Sequence, residues 1–401
     1  MRRLIRWIAG GLVGSLMLLG GCLIGLNSHL PDTFLVPEGQ NLMLAQMPWL
    51  IPECSVGAAA AQSVPAGSSY NVTLSVFGRL PIKTVRAVVV DRRAVTVCGT
   101  PFGIKMFSKG AMVVGFSDIH TNAGYANPAK SAGLKLGDCI LTMNGQKTYD
   151  NADVAGVIRQ SEGQPIEMVY SRDGQEQTTQ LTPVREEKSH PWQAGMWVRD
   201  SSAGIGTLTF IDNSTGVYGG LGHPINDSDT GQSIHLRSGE IAPVKIIGRE
   251  KGTTGVPGAL KGQFSGGPTM GDIVVNGSTG VYGHINRLVK GQDMPVAHMQ
   301  EIRQSEAQIL TTIDGTSPSW YKAQIERVSF TEKDPNRNMV IRITDPELLK
   351  ATGGIVQGMS GSPIVQNGRL VGAVTHVLVN DPTRGYGIFI ENMLKTADSA
   401  A

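Results

Sequence analysis

The chain has 401 residues, with 35 Lys and Arg against 33 Asp and Glu, 17% charged residues and 5% aromatic. That length has room for two or three cores of ordinary size, and a formal charge of +2 gives no electrostatic case for a nucleic-acid partner. Glycine stands at 51 of 401 residues without a collagen period or a solenoid repeat, which points to a globular, loop-rich, mainly β protein.

Arg2, Arg3 and Arg6 precede an uncharged stretch from Trp7 to Leu26. At about 1.5 Å per residue this is long enough to cross about 30 Å of hydrocarbon. Residues 1–26 are therefore expected to form a signal anchor. Basic flanks stay cytoplasmic, so the bulk of the chain is expected on the far side of the membrane. Leu19-Gly-Gly-Cys22 is a weak match to a lipoprotein box, because its central glycine is unfavourable there. Cys54, Cys98 and Cys139 form an odd set without close spacing. Neither His-Glu-x-x-His nor Cys-x-x-Cys occurs, so no disulfide frame, metal or cofactor is expected.

Residues 27–70, with Ala58–Gln62 and Pro65–Ser69 as small-residue tracts, read as a flexible exported linker. From Asn71 the pattern changes, with Val72, Leu74 and Val76 alternating with Thr73 and Ser75. This period of two marks a strand, and 71–106 is expected to be a small β-rich module.

Residues 107–186 carry Asn127-Pro-Ala-Lys-Ser-Ala-Gly-Leu-Lys-Leu-Gly-Asp-Cys-Ile140, then a helical stretch at Asp153–Gln160 and a hairpin turning at Asp173-Gly174. The run Pro-Ala-x-x-Ala-Gly-Leu-x-x-Gly-Asp-x-Ile resembles a bacterial PDZ domain, an α+β unit. Such domains take an extended peptide as an added strand. By that resemblance Val114, Gly115, Phe116 and Ser117 match the loop that holds a peptide's terminal carboxylate, with Val154 and Ile158 on the facing helix. The partner would be a peptide C-terminus or an internal segment. The alternative, a groove that packs against its own chain, stays open at this level.

Residues 191–401 contain a partial repeat. Ser214-Thr-Gly-Val-Tyr-Gly-Gly-Leu-Gly-His223 is echoed by Ser278-Thr-Gly-Val-Tyr-Gly-His284. Duplicated β units suit a chymotrypsin-like double β-barrel. Met299–Leu310 reads as a helix, and Ile325–Phe330 and Met339–Ile343 as strands.

Gly358-Met-Ser-Gly-Ser-Pro-Ile364 is a glycine-framed serine turn before an apolar strand. It would lift the Ser360 hydroxyl clear of the backbone and let the N–H groups of Gly358 and Ser360 converge on an oxyanion. Ser362 is the neighbouring alternative. A serine of ordinary pKa needs a base. His223 precedes it in the order that chymotrypsin-like enzymes use, with His284 as its repeat mate and His376 in the strand after the turn. Asp345 is a candidate third member, and equally a helix cap before Pro346. Asp212 and Asp227 are rivals.

The order of anchor, β module, PDZ unit and serine domain resembles the sporulation stage IV B (SpoIVB) peptidases of endospore-forming bacteria. The matching residues are Gly222-His-Pro-Ile225, Thr344-Asp-Pro346, Gly358-Met-Ser-Gly-Ser-Pro363 and Val374-Thr-His376 with its continuation to Gly387. The resemblance implies a triad of His223, Asp345 and Ser360 in a serine endopeptidase exported from the forespore into the space between two membranes. It also implies self-cleavage, and cleavage of a membrane-bound regulator (SpoIVFA) of the sigma-K-processing metalloprotease, with the PDZ domain controlling self-cleavage and targeting. HtrA-type peptidases place the PDZ after the catalytic domain, the reverse of the order here. A non-catalytic PDZ adaptor or an HtrA-like quality-control peptidase is the alternative function.

Overall fold

The computed structural model describes Met17, Gly21, residues 24–185 and residues 191–401. Most of the expected anchor, and Cys22, lie outside the described residues. No helix among those described is long and apolar enough to cross a membrane.

The first unit is a four-stranded sheet. It comprises β1 (Thr33–Pro37), β2 (Leu50–Cys54), α1 (Ala58–Gln62), β3 (Ser69–Val76) and β4 (Leu80–Val90), in the strand order β1-β4-β3-β2. Val72 and Leu74 point inward as their alternation predicts, and meet Leu30, Phe34, Leu42, Leu50 and Ala61 in one buried cluster. The stretch from 27 to 70 is thus half of the module rather than a linker to it. Its large apolar residues come in runs of at most three, such as Phe34-Leu-Val36, Leu42-Met-Leu44 and Trp49-Leu-Ile51, between polar, glycine and proline positions. No segment is long enough to show a period, yet each delivers a side chain to the core.

Next in order are β5 (Ala94–Val97), β6 (Pro101–Phe116), α2 (Pro128–Ser131), β7 (Cys139–Met143), α3 (Asn151–Gln160), β8 (Ile166–Arg172) and β9 (Gln175–Leu181). Asn127 caps α2 with Pro128 in its first turn, and Asp150 with Asp153 forms a capping box on α3. The β8–β9 turn has Asp173 and Gly174 both left-handed, as the Asp-Gly pair predicts. Ile140, Val154, Ile158 and Met168 close this core.

The long β10 (Met196–Ile211) joins this unit to a third group of strands, β11 (Val217–Gly220), β12 (Leu236–Glu250), β13 (Ala259–Phe264) and β14 (Gly280–His284). The strands run β9-β8-β7-β6-β10-β11-β14 within a single 14-stranded sheet. The two sequence repeats pair with each other, Val217 opposite His284 and Gly219 opposite Tyr282, and bury Tyr218 and Tyr282.

The last unit contains β15 (Glu306–Thr311), β16 (Ser319–Val328), β17 (Met339–Ile343), α4 (Pro346–Thr352), β18 (Pro363–Gln366), β19 (Arg369–Leu378), β20 (Asp381–Phe389) and α5 (Ile390–Ala397). Its strands close as a barrel, β15-β16-β17-β20-β19-β18. Ile309, Ile325, Ile341, Met359, Ile364 and Val374 fill it. The expected helix at 299–310 is one 3-10 turn (Met299–Glu301) followed by β15, whose Ala307 and Ile309 alternate inward. A closed barrel beside an open half-barrel sheet fits the double-barrel expectation.

Candidate active site

Ser360 sits on the turn between α4 and β18. Gly358 and Gly361 flank it with φ of +95° and +91°. A Cβ on Gly361 would lie 2.0 Å from the Thr207 carbonyl, so only glycine fits this left-handed position. The turn is held from outside by β10. Thr207 N–H donates to the Ser360 carbonyl at 2.9 Å, Thr207 Oγ1 to the Gly358 carbonyl at 2.9 Å, and Thr209 Oγ1 to the Gly361 carbonyl at 2.7 Å. The N–H groups of Gly358 and Ser360 find no acceptor among the described residues. The Ser360 hydroxyl donates to the Thr375 carbonyl at 2.8 Å.

His223 follows Leu221 and Gly222, which have φ of +66° and +73°. A left-handed leucine is strained and persists only where its surroundings over-determine it. Here Leu221 is buried, and the bend turns the histidine out of the sheet. His223 Nδ1 lies 2.8 Å from the Pro224 carbonyl. A carbonyl only accepts, so Nδ1 carries the proton and Nε2 is left basic. Burial lowers the imidazole below its ordinary value of 6.5, partly opposed by that hydrogen bond. His376 packs beside it, with ring centroids 4.7 Å apart. Burial of its ring, then the neighbouring His223 and Arg337, lower His376 as well, with Asp334 opposing. Both imidazoles are therefore neutral near pH 7.

Ser360, His223 and His376 line one cavity of about 690 Å³ with Gly204, Ile205 and Asp334. Asp345 does not line it. Its carboxylate caps α4, accepting from Glu347 N–H at 3.0 Å and Leu348 N–H at 3.2 Å, and takes a third bond from Lys322 N–H. The other carboxylates are engaged too. Asp212 pairs with Arg93 and accepts from Ser214, and Asp227 pairs with Arg199 and caps its own loop at Thr230. His284 is exposed on β14 near Asp272. Ser362 is fully buried and donates to the Met359 carbonyl at 2.6 Å. Thr207, Thr375 and the Pro224 carbonyl carry no sequence signal; only the fold brings them to the site.

In the PDZ unit, Val114, Gly115 and Phe116 end β6. They lie against β10, with Met196 opposite Phe116 and Trp197 opposite Gly115, and Ser117 N–H donates to the Gly195 carbonyl at 3.0 Å. The strand edge matched to peptide binding is thus covered by the chain itself. Val154 and Ile158 face residues 191–198 across a groove of about 440 Å³.

Residues 125–172 match the PDZ domain family model. Among curated proteins, the chain is similar to a zinc metalloprotease-type protein of Bartonella henselae, 36% identical over 87 residues, which is 22% of this chain and 24% of that protein. It is also similar to the zinc metalloprotease RasP of Geobacillus kaustophilus, 33% identical over 14% of this chain and 13% of that protein. The chain spans a quarter or less of the length of the curated relatives it matches. Among solved structures, the Rv3671c protease of M. tuberculosis is 14% identical over 50% of this chain and 74% of that one, with a TM-score of 0.28. The PDZ domain of an SdrC-like protein from Listeria monocytogenes is 15% identical over 22% of this chain and 87% of that one, with a TM-score of 0.19. The SpoIVB peptidase S55 model matches residues 190–394, just over half of the chain and the whole of the Ser360 and His223 framework, and the chain belongs to that family.

Proposed function

We propose that the chain is a membrane-anchored serine endopeptidase, with Ser360 as nucleophile and His223 as general base. One observation carries this reading: one cavity is lined by Ser360, by a neutral His223 whose basic nitrogen is free, and by Gly358, with the N–H groups of Gly358 and Ser360 unused. Ser360 Oγ would turn from the Thr375 carbonyl, attack the substrate carbonyl and pass its proton to His223 Nε2. The oxyanion would take hydrogen bonds from Gly358 and Ser360 N–H. The leaving amine would take the proton from His223, and water would hydrolyse the acyl-serine by the same route. The Pro224 carbonyl fixes the tautomer, the task a carboxylate has in the usual triad. Family resemblance gives that place to Asp345.

Family membership supports the biological setting that we assign: export from the forespore, self-cleavage, and cleavage of a membrane-bound regulator of a sigma-factor-processing metalloprotease, with the PDZ unit governing self-cleavage and targeting. Ser360→Ala tests the chemistry. Proteolysis and self-trimming of the pure full chain are expected to vanish while the thermal melt is unchanged. Persistent trimming overturns the reading, and an unaffected function in spores points to a non-catalytic adaptor.

A further inference from the structure

The groove beside α3 has an unexpected strand wall. It is built by residues 191–198, at the start of β10, and not by the β6 residues that the motif singles out. Gln193-Ala194-Gly195-Met196 turns into the strand there, with Gly195 at φ +72°. A Cβ on Gly195 would lie 2.8 Å from the Ser117 carbonyl, so the turn requires glycine. Gly195 C=O points inward, accepting from Ser117 N–H and Asn127 Nδ2, and Ala194 C=O accepts from Ala129 N–H. The N–H groups of Ala194 and Gly195 have no acceptor among the described residues. Consecutive free N–H groups at a left-handed turn form an anion-holding nest. Arg159 on the groove rim has no carboxylate partner among the described residues, and Val154 and Ile158 supply an apolar floor.

From this turn β10 runs on with one edge open. Between Met196 and Gly206 its ladder is with β6 alone, among the described residues. Ser117 N–H donating to Gly195 C=O makes Met196 and Phe116 a non-hydrogen-bonded pair, so Met196 presents its N–H and C=O to the open edge. The same strand then lines the catalytic cavity at Gly204 and Ile205, and clamps the Ser360 turn at Thr207. Groove and cavity are two stations on one strand edge.

We propose that this edge is a single docking track for an extended polypeptide with a free C-terminal carboxylate after an apolar residue. The chain adds antiparallel to β10, with its carboxylate at Ala194–Gly195 and its last side chain against Val154 and Ile158. An antiparallel strand anchored there runs N-terminally towards Ile205. The ten steps from Gly195 to Ile205 span at most about 33 Å at ~3.3 Å each, less at the register shifts after Trp197 and Arg199. The scissile bond therefore lies about ten residues before the carboxylate. The register rests on the peptidase reading above.

The test uses the full chain beside Ala155→Trp, which puts a bulky ring into the groove from the half-buried face of α3. A fluorophosphonate probe first reports whether Ser360 is reactive. Unstructured synthetic peptides of about 14 to 24 residues, ending in valine acid or valine amide, are then digested and every cut is mapped by mass spectrometry. Cuts are expected to cluster about ten residues from the free carboxylate whatever the peptide length. kcat/KM is expected to exceed that of the amides about tenfold or more, as a tethered second contact gives. Ala155→Trp, folded by its thermal melt, should abolish both the cluster and the acid preference. A labelled enzyme that cuts at no fixed distance, or cuts amides equally well, overturns the track and leaves the peptidase reading standing. Neither label nor cleavage overturns both.

Discussion

Asp345 shows how one residue type serves two kinds of chemistry. Its oxygens accept from three backbone N–H groups, two of them in the first turn of α4. Asparagine caps as well as aspartate does, whereas alanine costs about 1 kcal/mol. Asp345→Asn keeps the α4 cap but sets its amide nitrogen against Lys322 N–H, so it is expected to lower the melt slightly and keep wild-type hydrolysis, and Asp345→Ala to lower the melt further with hydrolysis again unchanged. A fall in kcat of about 10⁴ for the folded asparagine variant would instead place the carboxylate at the imidazole in the working enzyme. His223 gives a second expectation at this scale. Burial favours its neutral form, so the base stays available as pH falls through the ordinary histidine range. The acid limb of kcat/KM should have an apparent pKa below 6.5, and a limb at or above that value would mean a His223 held charged by a nearby carboxylate.

Among the elements, β10 does most to position the nucleophile, through bonds to a turn more than 150 residues further along the chain. Thr207→Val keeps the strand's N–H bond to Ser360 but removes the hydroxyl bond to the Gly358 carbonyl. We expect a loss of about 1 kcal/mol in stability and about tenfold in kcat with little change in KM. Equal loss in KM would mean that Thr207 contacts substrate rather than aligning the turn. Range along the chain also decides which features are legible in the sequence. The Asp173-Gly174 hairpin, the helix expected at 153–160 and the glycine-framed serine are local signals, and each appears in place, with φ of +52° and +79° at the hairpin. The ordered half-module at 30–54 and the clamp from Thr207 depend on partners far away in sequence. The same holds for the strand wall of the PDZ groove: the run Met196–Val198 looks like the opening of the next domain, and only the pairing with β6 reveals it as the completion of the previous one.

At the scale of the whole molecule, the sheet crosses the boundary that two family matches, ending at 172 and starting at 190, would draw. β6 pairs with β10 from Met196 to Thr207 and with β12 from Leu236 to Pro243. Phe102, Ile104 and Met106 of β6 are buried in one cluster with Leu208, Tyr218, Ile241 and Val281. A fragment of residues 191–401 would lose that strand and leave two long neighbours with open edges and an uncovered apolar face. It would also lose Arg93, leaving Asp212, a residue only 1% exposed, without its cation. A carboxylate left without its cation destabilises the fragment further. The module before Asp91 is attached differently, by an edge-to-face contact of Phe34 on Phe330 and a few bonds such as Ala45 N–H to the Gln300 carbonyl. Residues 191–401 alone are therefore expected to aggregate or melt without cooperativity. Residues 91–401 should melt cooperatively and retain fluorophosphonate labelling of Ser360, since the PDZ unit and the peptidase core fold as one body. Calorimetry of the two fragments decides it, and a cooperative transition in 191–401 would show that β6 is dispensable to the peptidase core.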